Sequence, residues 1–63
     1  MSEFKTRVLL VEDEELARKT LSFYLNTIFD EVIIAQDGLE GSDIYKKEVE
    51  ENRCFDLVLT DIK

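Results

Sequence analysis

Acidic residues follow two short apolar runs, and their types and spacing point to phosphoryl or metal chemistry. Residues 8–11 lead directly into Glu12 and Asp13, and residues 55–60 lead into Asp61. If both runs are neighbouring parallel strands, their carboxyl ends bring the three acids to one edge of a sheet. Two carboxylates about 4 Å apart repel by about 4 kcal/mol at an effective dielectric constant near 20. A divalent cation with oxygen ligands relieves that repulsion, and Mg²⁺ is the natural partner.

A carboxylate beside such an ion can accept a phosphoryl group and form an aspartyl phosphate. The metal would offset the charge of the incoming phosphate. The plainer interpretation is that acids follow strands because loops are polar. That interpretation is preferred for Glu14 and Glu15, which suit the positive N-terminal end of a helix. For Asp13 and Asp61 together, the spacing leaves both interpretations open.

Composition excludes several other classes of function. The 63 residues form one domain at most, with a marginal core. Cys54 is the only cysteine and histidine is absent, which argues against a disulfide scaffold and a structural zinc site. The net charge of −7 argues against direct nucleic-acid binding. No apolar run approaches the roughly 18 residues of a membrane span, and no signal-peptide pattern is present, so we expect no membrane contact and a cytoplasmic location.

Hydrophobic periodicity predicts the element order β-α-β-α-β. The predicted strands cover residues 8–11, 32–35 and 55–60, and the predicted helices cover residues 14–28 and 39–51. Such a pattern is typical of an α/β unit with a three-stranded parallel sheet. Right-handed crossovers allow the strand order 2-1-3, with one helix on each face, or 1-2-3, with both helices on one face. We favour 2-1-3, because nothing beside the first strand suits a sheet edge.

The helices are predicted to bury one stripe each. For the first helix the stripe is Ala17, Leu21, Tyr24, Leu25 and Ile28, and for the second it is Gly41, Ile44, Tyr45 and Val49. Gly41 inside a helix costs about 0.5–1 kcal/mol relative to alanine, so the second helix is predicted to be the weaker one. Asp37 and Glu40 have the spacing of a capping box, which makes Asp37 a helix cap rather than a ligand.

Three blocks of the chain together resemble the receiver domain of two-component response regulators, which has a flavodoxin-like fold. They are VLLVEDE at 8–14, AQDG at 35–38 and FDLVLTDIK at 55–63. The resemblance implies that Asp61 is the phospho-acceptor and that Glu12 and Asp13 bind Mg²⁺, with the backbone carbonyl of Lys63 as a further metal ligand. It also implies a receiver rather than an enzyme, with a histidine kinase or phosphotransfer protein as phosphoryl donor.

The 63 residues match only the first half of a receiver, the β1-α1-β2-α2-β3 part. The family's hydroxyl residue after strand four and its lysine after strand five are not among them, so we expect no switching by this chain alone. An alternative is a non-catalytic structural half-domain, an engineered fragment that forms homodimers through its exposed third strand. A metal-dependent phosphatase with an aspartate nucleophile is disfavoured, because no second acid follows Asp61 two residues on.

Overall fold

The structure, a computed structural model, describes residues 5–61 of the chain, the last of them by its backbone. The elements are β1 (Arg7–Glu12), α1 (Glu15–Leu25), β2 (Glu31–Ala35), α2 (Gly38–Glu50) and β3 (Leu57–Asp61). This order confirms the predicted β-α-β-α-β arrangement. Within the described range, neither helix is long and apolar enough to cross a membrane.

The three strands form one parallel sheet in the order β2-β1-β3, as predicted. Val8 of β1 lies opposite Val32 of β2 on one side and Leu57 of β3 on the other. All six residues of β1 are buried, which explains why its sequence is apolar without alternation. This topology is that of one half of a flavodoxin-like fold.

The core has two halves, one on each face of the sheet. Val8 and Leu10 pack on one face with Leu25 of α1. Leu9 and Val11 point to the opposite face, where they pack with Ala35 and the half-buried Ile44 of α2. Successive residues of a strand face opposite sides, so the central strand supplies both core clusters. One helix therefore lies on each face, as the 2-1-3 order requires.

The stripe predicted for α1 was partly wrong. Tyr24 is 63% exposed and Ile28 is 58% exposed, although both were assigned to the core. The helix ends at Leu25, so Ile28 lies beyond its last turn. Tyr24 is rotated by about 100° from the buried Leu25, which places it at the side of the helix. Leu25 and the half-buried Leu21 are the residues of α1 that contact the core.

The stripe predicted for α2 also needs correction, because Tyr45 and Val49 are 47% and 41% exposed. The buried positions of α2 are Gly41 and Glu48. A Cβ atom at Gly41 would lie 2.7 Å from Cγ2 of Val11, well inside van der Waals contact. Gly41 is therefore the point where α2 approaches β1 most closely, rather than only a weak position in a helix.

The predicted capping box at the start of α2 is confirmed. Oδ1 of Asp37 accepts the backbone N–H of Glu40 at 2.8 Å. In return, Oε1 of Glu40 accepts the backbone N–H of Gln36 at 2.7 Å. Asp37 thus satisfies an N–H group of the first helical turn, whereas Glu40 reaches one residue beyond the N-cap and accepts the N–H of the preceding loop.

Candidate functional site

The carboxyl edge of the sheet brings the predicted acids to adjacent backbone positions. Glu12 ends β1, and its Cα pairs in register with that of Asp61, the last residue of β3. Asp13 follows directly in the loop before α1. The order β2-β1-β3 places this pair between neighbouring strands whose crossovers run in opposite directions, which is where open α/β sheets bind ligands.

Two of the predicted assignments lie outside what the structure describes. The side chain of Asp61 is one, and the backbone carbonyl of Lys63, expected as a metal ligand, is the other. The roles of both residues stay predictions.

Glu12 is the unusual group at this edge, because its side chain is fully buried. Its Oε2 atom accepts the backbone N–H of Glu14 at 3.1 Å. Its Oε1 atom is buried and has no hydrogen-bond partner within the part of the chain that the structure describes. Most buried polar atoms in proteins have a partner, and leaving one without any is costly. The free oxygen therefore marks a position where a cation or a donor would be stabilising.

Arg18 forms a hydrogen bond with the backbone of Glu12 rather than with its carboxylate. Arg18 of α1 donates from Nη1 to the backbone oxygen of Glu12 at 3.1 Å. This bond ties the first helix to the end of β1 and holds the backbone that carries Glu12. Within the described residues, no group donates a hydrogen bond to the Oε1 atom.

Asp13, in contrast, is exposed. Within residues 5–60, whose side chains are described, no three histidine, cysteine, aspartate or glutamate residues form a group that could hold a metal ion. Mg²⁺ in proteins commonly uses one or two carboxylates and keeps several waters. A buried carboxylate oxygen beside an exposed carboxylate fits that ion better than it fits an ion that needs a full protein cage.

An open groove of about 470 Å³ lies on the α2 face of the sheet, between α2 and β3. Its floor is formed by side chains of β1 and β3 and its wall by one side of α2. The lining residues are Leu9, Val11, Val58 and Thr60 from the strands and Gly38, Gly41, Ser42 and Tyr45 from the helix. Its volume is within the range of small-molecule sites, but its lining is largely apolar and includes no carboxylate or cationic side chain among these residues.

The opposite, amino edge of the sheet carries a charge cluster that the sequence analysis missed. Arg7 is 9% exposed, although the predicted first strand began only at residue 8 and left Arg7 outside it. Its Nε atom donates to Oε1 of Glu31 at 3.0 Å, and its Nη2 atom donates to Glu48 of α2. Its guanidinium also lies 4.8 Å from the ring centroid of Phe55. Arg7 and Glu31 pair in register at the starts of β1 and β2, and this arrangement exists only in the folded sheet.

Hydrogen bonds shift the pKa values of this cluster in the directions that favour charge. The bonds to Glu31 and Glu48 raise the pKa of Arg7 above its usual value. The hydrogen bond from Arg7 lowers the pKa of Glu48, with a smaller contribution from Arg53. Nearby, the backbone N–H and hydroxyl of Thr6 lower the pKa of Asp30. Arg7, Glu31 and Glu48 at the amino edge are thus paired, whereas none of the ion pairs among the described residues includes the Glu12 carboxylate at the carboxyl edge.

Comparisons with protein-family models, with curated proteins and with solved structures each found no match to this chain. The flavodoxin-like topology therefore rests on the strand order and the crossovers.

Proposed function

We propose that these 63 residues form the metal-binding and phosphoryl-accepting half of a two-component receiver domain. Asp61 is the phospho-acceptor, and Glu12 and Asp13 hold Mg²⁺ together with the backbone carbonyl of Lys63. The observation that supports this most is the buried, unpartnered Oε1 atom of Glu12, whose residue pairs in register with Asp61. A buried strand-end carboxylate with one oxygen that no described donor reaches is hard to explain unless a cation binds there.

In this proposal the chain supplies the acceptor residue of a receiver domain, and that parent domain is a recipient of phosphate and not an enzyme. A carboxylate oxygen of Asp61 attacks the phosphorus of a phosphohistidine, a P–O bond forms, and the P–N bond breaks. The imidazole leaves with the electron pair of that bond and takes up a proton. The phosphohistidine belongs to a histidine kinase or a phosphotransfer protein in the cytoplasm. Bound Mg²⁺ would offset the negative charge gathered at the edge.

Mg²⁺ binding should stabilise the fold. A ligand that binds only the folded chain adds about 1.4 kcal/mol to the free energy of unfolding at ten times its dissociation constant. The gain should be visible because the chain has a net charge of −7 and a small core.

The experiment is a thermal or urea unfolding series with increasing MgCl₂, at constant ionic strength. We expect the midpoint to rise at millimolar Mg²⁺ and Asp61→Asn to abolish the rise. Asp37→Asn is the matched control, because it removes the same charge at the same edge while asparagine still caps α2. An equal Mg²⁺ effect in both variants, or none in the unmodified chain, would contradict the proposal.

The second candidate is a structural half-domain that assembles into homodimers through β3. Within residues 5–61, β3 pairs only with β1, so its outer edge carries unpaired backbone groups. Leu57 is 39% exposed and Val58 is 42% exposed, on opposite faces of that strand. Pairing of two β3 strands would continue the sheet across both chains and cover these residues.

Light scattering during size-exclusion chromatography tests the second candidate. We expect a dimer at micromolar concentration. A lysine on β3 should disrupt that dimer, but Leu59→Lys is unsuitable for the test because Leu59 packs in the core. Val58→Lys places a charge on the free strand edge and should return the chain to a monomer. A well-folded monomer of the unmodified chain would exclude this candidate and leave the Mg²⁺ proposal unaffected.

A further inference from the structure

We infer that Asp56 and Arg7 form a clasp that sets the register of β3 on β1, and that this register is what brings Asp61 beside Glu12. Asp56 is thus a positioning residue for the acceptor site, acting from the other end of the strand. The functional meaning of this inference rests on the proposed function, whereas the clasp itself can be tested without it.

The clasp is a reciprocal pair of hydrogen bonds between the two chain segments. The backbone N–H of Arg7 donates to Oδ2 of Asp56 at 2.7 Å. The backbone N–H of Asp56 donates to the carbonyl oxygen of Arg7 at 2.8 Å. In addition, Nη1 of Arg7 donates to the carbonyl oxygen of Arg53 at 2.8 Å. Three bonds therefore connect the start of β1 to the segment that leads into β3.

The number of residues from the clasp to the acid pair is the same along β1 as along β3. Glu12 lies five residues after Arg7, and Asp61 lies five residues after Asp56. Once Asp56 is fixed at Arg7, parallel pairing carries Leu57 to Val8 and Asp61 to Glu12.

The apolar pattern of β3 does not specify this register by itself. A slip of one residue would turn each side chain to the other face of the sheet and remove the half-buried Leu59 from its core cluster, so it is disfavoured. A slip of two residues leaves each side chain on its original face of the sheet. Leu59 would then take the place of Leu57, and Thr60 the place of Val58. It would also move Asp61 along β1 by about 6.6 Å, at about 3.3 Å per residue. Mg²⁺ binds oxygen at about 2.1 Å, so a slipped Asp61 could not share an ion with Glu12.

Arg7 is suited to anchor the register because other elements hold it in place. Its guanidinium contacts Glu31 of β2, Glu48 of α2 and the ring of Phe55. Asp56 is also too distant to act on the metal site through its charge. Five residues of strand span about 16 Å, which exceeds the Debye length of about 8–10 Å at physiological ionic strength.

The test compares three substitutions at Asp56. Asp56→Asn keeps an acceptor oxygen in place, Asp56→Glu moves the carboxylate outward by one methylene, and Asp56→Ala removes the acceptor. Asp43→Ala, at an exposed residue of α2, is the control for loss of one negative charge. Two quantities are measured for each: the strand register, from NMR contacts between β1 and β3 protons, and the Mg²⁺ dissociation constant, from amide shifts.

We expect Asp56→Asn and Asp43→Ala to keep the Val8–Leu57 contacts and the Mg²⁺ affinity of the unmodified chain. Asp56→Ala should lose or average those contacts and weaken Mg²⁺ binding by about tenfold to a hundredfold, the usual effect of disturbing a ligand's support. Asp56→Glu should fall between them. If Asp56→Ala does not fold, the register and the Mg²⁺ affinity of Asp56→Glu, compared with those of Asp56→Asn, test the inference.

The inference is overturned if folded variants without the acceptor keep the native register. It is also overturned if the register shifts while Mg²⁺ affinity stays constant. If the unmodified chain binds no Mg²⁺ but the register still depends on Asp56, the clasp stands and the proposed function fails.

Discussion

Gly41→Ala is a substitution whose effect on stability should have the opposite sign to that expected from helix propensity. Alanine is favoured over glycine inside a helix by about 1 kcal/mol. In this chain the added Cβ would lie 2.7 Å from Cγ2 of Val11, while its contacts with Cγ1 of Val11 and Cβ of Ala35, at 3.6 Å each, are ordinary. One methyl group of a stiff, β-branched side chain is therefore the single obstacle.

These distances set the expected change in the free energy of unfolding. Carbon atoms pack best at about 3.5–4.0 Å, so α2 and β1 must separate by about 1 Å or Val11 must change rotamer. Overpacking of this kind costs about 2 kcal/mol. After the propensity gain of about 1 kcal/mol, Gly41→Ala should destabilise the chain by about 1 kcal/mol. With Val11→Ala already present the obstacle is gone, and the same substitution should stabilise by about 1 kcal/mol.

Urea unfolding followed by circular dichroism measures all four members of this double-mutant cycle. The coupling free energy between positions 11 and 41 should be about 2 kcal/mol, which is within the range for residues in contact. Ser42→Ala, at the next and exposed position, is the control and should stabilise by about 0.5 kcal/mol. If Gly41→Ala stabilises the chain equally with valine and with alanine at position 11, the close approach of α2 to β1 is refuted.

Three further predictions concern the two edges of the sheet. Arg7→Met should lower the free energy of unfolding by about 3 kcal/mol, because it breaks the buried ion pair with Glu48 and leaves that carboxylate only the more exposed Arg53. A urea midpoint close to that of the unmodified chain would contradict this. Because Arg7 lowers the folded pKa of Glu48, their bond contributes fully above the ordinary pKa of 4.5 and is lost as pH falls through the folded value. Acid titrations of stability should therefore be flatter for Glu48→Gln, and identical slopes would count against the pairing. Incubation with a small phosphodonor and Mg²⁺ should leave no stable, stoichiometric acyl phosphate on the 63-residue chain. The reason is that the hydroxyl and lysine residues with which receivers contact the phosphoryl group are not among these residues. A lasting adduct in intact mass spectra that is absent from Asp61→Asn would contradict this.

The topology could be predicted because it follows from local signals. The apolar run of β1 has no polar alternation, so a central strand covered on both faces was the natural interpretation. Both crossover connections are of ordinary length, and the right-handedness of such connections then allows few strand orders. The position of Glu12 opposite Asp61 followed from the same pattern, because acids that end adjacent parallel strands must meet at one edge.

The contacts that hold the amino edge together could not be predicted, because they join residues far apart in the sequence. Arg7 reaches Glu48 across 41 positions and Asp56 across 49. Nothing local to residues 5–7 shows that an arginine there becomes buried. Likewise, the tight approach at Gly41 depends on where α2 crosses β1, which propensity does not encode. The exposed Tyr24 was misplaced because helical spacing alone cannot tell the edge of a stripe from its centre.

The central claim is that the acids at the carboxyl edge of the sheet share one divalent cation. Mn²⁺ prefers the same oxygen ligands as Mg²⁺ and broadens the NMR signals of nearby nuclei. With substoichiometric Mn²⁺, we expect the amide signals of residues 12–14 and 60–61 to lose intensity first, while those of Arg7 and Asp56 persist. Asp61→Asn should remove the effect. Broadening centred on the acids at 48, 50 and 51, or broadening unchanged in Asp61→Asn, would contradict the claim.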